Sequence, residues 1–184
     1  MKYFSKGKRG KIYLDKGYAI KKSLPSRVRN EVKWLKLLNK YNIGPRLVSY
    51  GKNYFKYIFI KGDFIINFIS KNNKLIIKKV ILDVLNQCRI MDKLKVNKKE
   101  LHKPVKHIII KRNKPYMIDF ERCYITEKPK NVTQFCQFIL SNNLKPLLIK
   151  RGFNINEKRL LKKLIKYKHN QDDESFKLIL NLIN

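Results

Sequence analysis

Apolar positions near the N-terminus recur in short runs that are separated by turn signals. Runs of this kind, rich in aromatic and β-branched residues, predict two β-hairpins. The four predicted strands are 11–14, 18–21, 47–50 and 54–60. Between the hairpins the apolar spacing changes to three or four residues, which predicts a helix over 26–40 with Ser26 as its N-cap. The first part of the chain is therefore expected to be a small antiparallel sheet with one helix packed on it.

Helical spacing dominates the remainder of the chain. The predicted helices are 74–94, 132–140, 157–168 and a last one from Asp172 to about Leu182. Asn131, followed by Gln134 at the third helical position, is typical of an N-cap for the second of these helices. Lys61-Gly-Asp63 interrupts the pattern, so we expect an N-lobe of residues 1–62 and a C-lobe of residues 63–184. The predicted fold class is α+β.

Composition limits the class of protein further. The chain has 184 residues, of which 43% are hydrophobic, enough to bury a core. No apolar stretch approaches the roughly 18 residues that span a bilayer, and the basic N-terminus has no apolar signal segment. We therefore expect a soluble, cytoplasmic protein with no membrane association. Three cysteines without a C-x-x-C pair predict reduced thiols rather than disulfides or a zinc site.

The net charge is the most unusual property of the sequence. Lys and Arg number 44 against 13 Asp and Glu, which gives +31. A field of one sign attracts polyanions, so RNA, ribosomal particles, DNA and anionic membrane surfaces all fit. We favour nucleic acid, because no predicted helix has the bulky apolar face of a membrane anchor. RNA or a ribonucleoprotein is thus an expected partner. One basic helix face carries Lys158, Arg159, Lys162, Lys163 and Lys166.

Candidate chemistry lies on a third predicted hairpin, whose apolar runs are 107–110 and 116–118. His102, Lys106 and His107 lie at the start of this hairpin, and Asp119-Phe-Glu121 follows it directly. Because a hairpin brings its two ends together, imidazoles, a lysine and carboxylates are expected to meet there. Such groups can form a phosphate and metal site. A half-buried hairpin with a solvated basic end explains the same pattern equally well.

Two further features lie near the N-terminus. Glu31 falls inside the apolar arc of helix 26–40, where a carboxylate is costly unless it is paired. Lys21, at the end of the second strand, is the candidate partner; alternatively, Glu31 extends to solvent at the edge of the arc. Gly7 and Gly10 precede the first predicted strand. They either let backbone N–H groups approach a phosphate or belong to a flexible basic loop.

This order of motifs resembles the protein-kinase-like fold, and the likeness covers nearly the whole chain. Asn-Ile-Gly-Pro at 42–45 is similar to small archaeal kinases, including the RIO group and the kinase of the KEOPS complex. Three further motifs resemble a family of archaeal predicted serine/threonine protein kinases. They are Pro-x-Lys-His at 104–107, Ile-Asp-Phe-Glu-Arg at 118–122 and Asn-Val-Thr-Gln-Phe at 131–135.

The resemblance implies ATP and Mg²⁺ as cofactors. It assigns Gly7 and Gly10 to a glycine loop over the ATP phosphates. It assigns Lys21 to the α- and β-phosphates, with Glu31 holding that lysine, and Asp119 to Mg²⁺.

The catalytic loop departs from the kinase pattern His-x-Asp-x-x-x-x-Asn. His107 stands in the Asn position and His102 in the catalytic Asp position, with no carboxylate between residues 101 and 118. His102 and Lys106 are therefore the candidate catalytic residues. His107 and Glu121, which replaces the usual Gly, join Asp119 as candidate metal ligands.

Two hypotheses follow from these residues. The first is an atypical ATP- and Mg²⁺-dependent serine/threonine-type kinase with an unidentified protein substrate. The second is an RNA- or ribosome-associated protein on a kinase-like scaffold with little or no phosphotransfer, because loss of the catalytic Asp is a common mark of inactive kinase folds.

Overall fold

A five-stranded antiparallel sheet forms the N-terminal part of the molecule, in the order β1-β2-β3-β5-β4. It is described from a computed structural model that covers residues 1–7 and 10–183. The strands are β1 (Lys2–Gly7), β2 (Gly10–Asp15), β3 (Tyr18–Lys22), β4 (Leu47–Tyr50) and β5 (Tyr54–Ile58).

β1 was not predicted, because it is an edge strand whose residues are largely exposed and therefore show no apolar pattern. It pairs with β2 so that Gly7 lies opposite Gly10. The two glycines thus close a hairpin. The prediction that both precede the first strand is wrong. Lys8 and Arg9, which join the glycines, lie outside the described residues.

One helix, α1 (Pro25–Asn39), packs on this sheet. It begins one residue before the predicted start, with Leu24 at the N-cap position and no side-chain cap, so the prediction that Ser26 caps it is wrong. Pro25 suits the first helical position because the N–H group that it lacks has no helical acceptor there. After the helix, the Asn39 amide donates to the carbonyl oxygens of Ile43 and Pro45, at 3.0 and 3.1 Å.

The rest of the chain is mostly helical. Its helices are α2 (Ile65–Lys71), α3 (Lys74–Lys93), α4 (Asn131–Ile139), α5 (Lys145–Lys150), α6 (Glu157–Asn170) and α7 (Asp173–Leu180), with a 3₁₀ helix over Lys99–His102. Its strands are β6 (Asp63–Phe64), β7 (Val96–Lys98), β8 (Ile108–Lys111), β9 (Lys114–Met117) and β10 (Cys123–Ile125). The helices α2 and α5 and the strands β6, β7 and β10 were not predicted, because each is too short to show a period.

The hairpin of β8 and β9 is tighter than predicted. Its strands extend to Lys111 and Lys114, so that only Arg112 and Asn113 form the turn. Both turn residues have positive φ, 50° and 59°, as the type I′ turn of a two-residue hairpin requires. The hairpin also pairs with β6 through β8, at the point where the sequence indicated a break between lobes.

Asn131 does not cap α4, because Lys130 occupies the N-cap position. The Asn131 side chain is instead buried, and its amide donates to Asp92 Oδ1 at 2.7 Å and to the Val96 carbonyl at 2.6 Å. Its own Oδ1 accepts from the backbone N–H of Lys98 at 2.8 Å. Asn131, predicted as a cap, therefore joins α3, β7 and α4 through buried hydrogen bonds.

Buried apolar residues form one core that extends from α1 through α3 to α4 and α6. The three cysteines are free and buried in it. The α+β fold class is confirmed, with an antiparallel N-terminal sheet, one helix on it and a helical C-terminal part, whereas the boundary at residues 62 and 63 stays a prediction. Among the described residues, no helix has the length and apolarity that crossing a membrane requires.

Candidate active site

Lys21 is the centre of a buried group of charges. Its Nζ donates to Glu31 Oε2 at 2.7 Å and to Asp119 Oδ1 at 2.9 Å, and it lies 3.8 Å from Glu121 Oε2. We call these four residues the Lys21 cluster. Burial lowers the pKa of Lys21, but the charges of Glu31 and Asp119 outweigh it and hold this pKa above its ordinary value. The lysine is therefore a fixed cation.

Strand alternation directs Lys21 towards α1. It shares a sheet face with the fully buried Ala19, two residues earlier, and lies beside the buried Phe55 of β5. Glu31 reaches Lys21 from the apolar arc of α1 and is only 4% exposed. The pairing is the one that the sequence predicts, and Glu31 does not extend to solvent. Burial raises the pKa of Glu31, and the charge of Lys21 opposes that rise.

Asp119 follows β9 in a left-handed backbone conformation, with φ of 63°. Asp tolerates this region better than most residues, since its short polar side chain can bond locally. Burial would raise the pKa of Asp119, but Lys21 outweighs it and lowers this pKa below its ordinary value. Asp119 is thus an ionised carboxylate at neutral pH.

The segment after Asp119 is held against α1. The N–H of Phe120 donates to Glu31 Oε1 at 3.3 Å, and the Asn30 amide donates to the Glu121 carbonyl at 2.5 Å. The Phe120 ring packs on Gly44, where a Cβ would lie 2.8 Å from Cε2 of the ring and where φ is +82°. The Asn-Ile-Gly-Pro motif therefore helps to position Asp119.

The carboxylates of the cluster can hold a divalent cation. Glu31, Asp119 and Glu121 each offer an oxygen, and these atoms lie within 4.8 Å of one another. An oxygen-only donor set suits Mg²⁺, and three carboxylates that share one ammonium leave a negative excess for it to balance. The residues present therefore fit Mg²⁺.

His107 lies at the margin of this donor set. Its Nδ1 is 3.9 Å from Asp119 Oδ2, beyond hydrogen-bond distance. Burial and the charge of Lys98 lower the pKa of His107, which keeps the imidazole neutral at neutral pH. A neutral imidazole can act as a ligand, but the structure places Glu31 rather than His107 beside Asp119 and Glu121.

Two residues of the site, Lys98 and Glu100, were missed from the sequence. Lys98 is fully buried, and its Nζ donates to the backbone carbonyl of Asp119 and lies 3.6 Å from Glu100 Oε2. Arg122 Nη1 lies 3.4 Å from Glu100 Oε1. Glu100 lies in the 3₁₀ helix directly after β7. The sequence did contain a signal for Glu100, because it is the only acidic residue from 94 to 118.

His102 and Lys106, the predicted catalytic residues, are both exposed. His102 Nδ1 lies 3.0 Å from the Lys99 carbonyl oxygen, and Lys106 lies in the turn before β8. In the part of the chain that the structure describes, neither side chain contacts the Lys21 cluster.

Gly10 has a packing role in the sheet. A Cβ at this position would lie 2.7 Å from the carbonyl oxygen of Lys22, so the pairing of β2 with β3 itself requires glycine. A phosphate-binding role of Gly7 and Gly10 stays a prediction, since the residues that join them are not described.

A well-formed cavity lies away from these charges. It has a volume of about 670 Å³ and lies between α1 and the turn after β4, lined by Val28, Val32 and Tyr50 among others. No member of the Lys21 cluster lines it. The candidate site is the Lys21 cluster, which is open to solvent through Asp119, whose side chain is 38% exposed.

Comparison with known proteins confirms the fold. No protein-family model and no curated protein matches the sequence. Among solved structures, the chain is similar to the kinase PK-1 of the Cydia pomonella granulovirus, with a TM-score of 0.55 and 15% identity. The likeness covers 70% of this chain and 55% of the viral protein. The chain therefore has a kinase-like fold and spans about half the length of that kinase.

Proposed function

We propose that this protein is an ATP- and Mg²⁺-dependent phosphotransferase of the serine/threonine kinase type with a non-standard catalytic loop. The observation that carries the proposal is Lys21, which bonds Glu31 of α1 and Asp119 after β9 at once. In a kinase-like fold, this lysine binds nucleotide phosphates, the helix glutamate holds the lysine, and the post-hairpin aspartate binds metal.

Each member of the Lys21 cluster has a distinct role in this proposal. Lys21 binds phosphate oxygens of ATP, and Glu31 keeps its ammonium in place. Asp119 and Glu121 would hold Mg²⁺, which neutralises phosphate charge when it is bound. His107, whose Nδ1 lies 3.9 Å from Asp119 Oδ2, lines the site as a neutral imidazole.

Glu100 is our candidate for the residue that accepts the proton of the acceptor hydroxyl. That hydroxyl oxygen forms a bond to the γ-phosphorus while the bond from this phosphorus to the bridging oxygen of ADP breaks. Glu100 is supported by its link through Lys98 to Asp119, whereas the sequence-based candidates His102 and Lys106 lie on the exposed side of the same loop.

Thermal unfolding in the presence of ATP and Mg²⁺ tests nucleotide binding. A ligand at a hundred times its Kd stabilises the folded state by about 2.7 kcal/mol, so the melting temperature should rise clearly. Lys21→Ala and Asp119→Ala should abolish the rise, whereas Lys71→Ala, which removes an exposed lysine, should retain it. A parent protein whose melting temperature does not respond to ATP with Mg²⁺ would contradict the proposal.

Transfer of labelled γ-phosphate to the chain itself or to casein tests the catalytic loop. Glu100→Gln should lower the rate by about a hundredfold or more, the usual effect of losing a general base, with the ATP-induced thermal shift retained. His102→Gln should change the rate by less than about threefold, because its ring is exposed. The reverse ranking would reject Glu100 and support the sequence-based assignment of His102.

A further inference from the structure

The sheet has a second face that points away from the Lys21 cluster. Side chains alternate along a strand, so Lys21 and Ala19 face α1 while Tyr18 and Lys22 face the opposite side. We call this opposite side the outer face. Among the described elements, α1 packs on the other side of the sheet, and no helix covers the outer face.

Lysines form a row across the strands of the outer face. The register places Lys6 of β1 opposite Lys11 of β2, Lys11 opposite Lys22 of β3, and Lys22 opposite Tyr54 of β5. All three lysines are exposed, and Tyr54 is 38% exposed. Neighbouring strands lie about 5 Å apart, so lysines opposite one another on three adjacent strands repel one another unless an anion lies over them.

Tyrosines lie beside this row. Tyr3 of β1 is opposite Tyr13 of β2, with ring centroids 6.0 Å apart in an edge-on arrangement, and Tyr3 is 55% exposed. Lys22 Nζ lies 5.3 Å from the Tyr13 ring centroid, and Lys56 Nζ lies 4.2 Å from that of Tyr18. Aromatic rings and cations thus alternate over the face.

Acidic residues contribute little to the outer face. Its one carboxylate on β2 is Asp15, which lies 3.4 Å from the N-terminal ammonium group. Within residues 1–7 and 10–183, no carboxylate pairs with Lys6, Lys11, Lys22 or Lys56. The face is therefore a cationic surface with exposed rings.

We propose that the outer face binds single-stranded nucleic acid. The lysine row would contact backbone phosphates, and the tyrosine rings would stack on bases, the combination by which sheets bind single strands. An acidic protein would satisfy the lysines but offers a flat ring only where it carries an aromatic side chain, whereas every nucleotide of a single strand carries a base beside its phosphate. The proposal is independent of phosphotransfer, because Lys21 lies on the other side of the sheet.

Fluorescence anisotropy with a labelled oligouridylate of about 15 nucleotides tests this face. Lys11→Gln combined with Lys22→Gln should weaken binding and reduce the salt slope by about 1.4, which is two phosphate contacts on a single strand. Tyr3→Ser combined with Tyr54→Ser should weaken binding by about tenfold or more through lost stacking. All four positions are partly or fully exposed, so the variants should fold.

Lys158→Gln combined with Lys162→Gln is the matched control, since it removes the same charge from exposed positions of α6. It should change affinity by less than about twofold at a salt concentration near physiological. An equal loss in this control would show a response to net charge alone and would overturn the proposal.

An abasic oligomer of the same length and charge is the second control. Binding as tight as that of oligouridylate would also overturn the proposal, because stacking would then contribute nothing. The ATP-induced thermal shift should persist in all of these variants, so failure here is distinguishable from failure of the proposed phosphotransferase.

Discussion

Two buried acidic sites in this molecule differ in how their charge is satisfied. Asp92 is 1% exposed and accepts from the Tyr167 hydroxyl at 2.8 Å, the Asn131 side chain at 2.7 Å and the Asn131 backbone N–H at 3.0 Å. We call these three residues the Asp92 network. In the Lys21 cluster, by contrast, three carboxylates share one ammonium. A carboxylate that accepts hydrogen bonds from neutral donors joins the elements that carry those donors. Three carboxylates around one ammonium instead leave a negative charge that a bound cation can balance.

The two sites are connected through Lys98. Its backbone N–H donates to Asn131 of the Asp92 network at 2.8 Å, and its Nζ donates to the carbonyl oxygen of Asp119. The Asp92 network therefore positions Lys98, whose side chain binds the Asp119 carbonyl in the Lys21 cluster. Substitutions in each site should separate stability from ligand binding.

Asp92→Ala should have the largest effect on stability. It removes the buried acceptor of the Tyr167 hydroxyl, of one Asn131 amide N–H and of the Asn131 backbone N–H, which costs about 3 kcal/mol or more in the free energy of unfolding. Urea unfolding measures this loss. Asp92→Asn, which keeps the shape and part of the bonding, is the matched control and should lose less. A loss for Asp92→Ala below about 1 kcal/mol would show that the network is not structural.

Lys21→Met should have a smaller effect on stability and a specific dependence on pH. Removing one partner of a buried ion pair costs about 3–5 kcal/mol, and we expect about 2 here because Asp119 is 38% exposed and therefore screened. The folded-state pKa of Asp119 lies below its unfolded value, so its stabilising contribution is present above about pH 4 and is lost as pH falls through the folded pKa.

Lys21 contributes most to lowering the pKa of Asp119, ahead of Lys98 and His107. The difference in unfolding free energy between the parent and Lys21→Met should therefore be largest near neutral pH and should shrink in acid. Urea unfolding at several pH values measures it. Lys71→Met, which removes an exposed ion pair with Asp63, should show a much weaker dependence. A difference that grows as the solution is acidified would refute the assigned electrostatics of the cluster.

Part of the site could be predicted before the fold was known. Lys21, Glu31 and Asp119 were identified because a strand lysine, a glutamate in an apolar arc and an aspartate after a hairpin are each visible in local sequence. Glu100 was missed, because its importance depends on Lys98, whose contact with Asp119 spans 21 residues. Asn131 was misread as a cap, since a sequence pattern does not reveal a buried acceptor such as Asp92, 39 residues away.

The sequence by itself determined the α+β class and the long helices, because the spacing of apolar residues is a local property. It also determined that Glu31 needs a cation, because a carboxylate on an apolar helix face is costly unless it is paired. Only the tertiary structure decided which charges converge. Lys21 and Asp119 are 98 residues apart and meet because β3, α1 and the segment after β9 pack around one core. It also decided that tyrosines and lysines of separate strands share one face, since strand register is set by pairing and not by the individual strands.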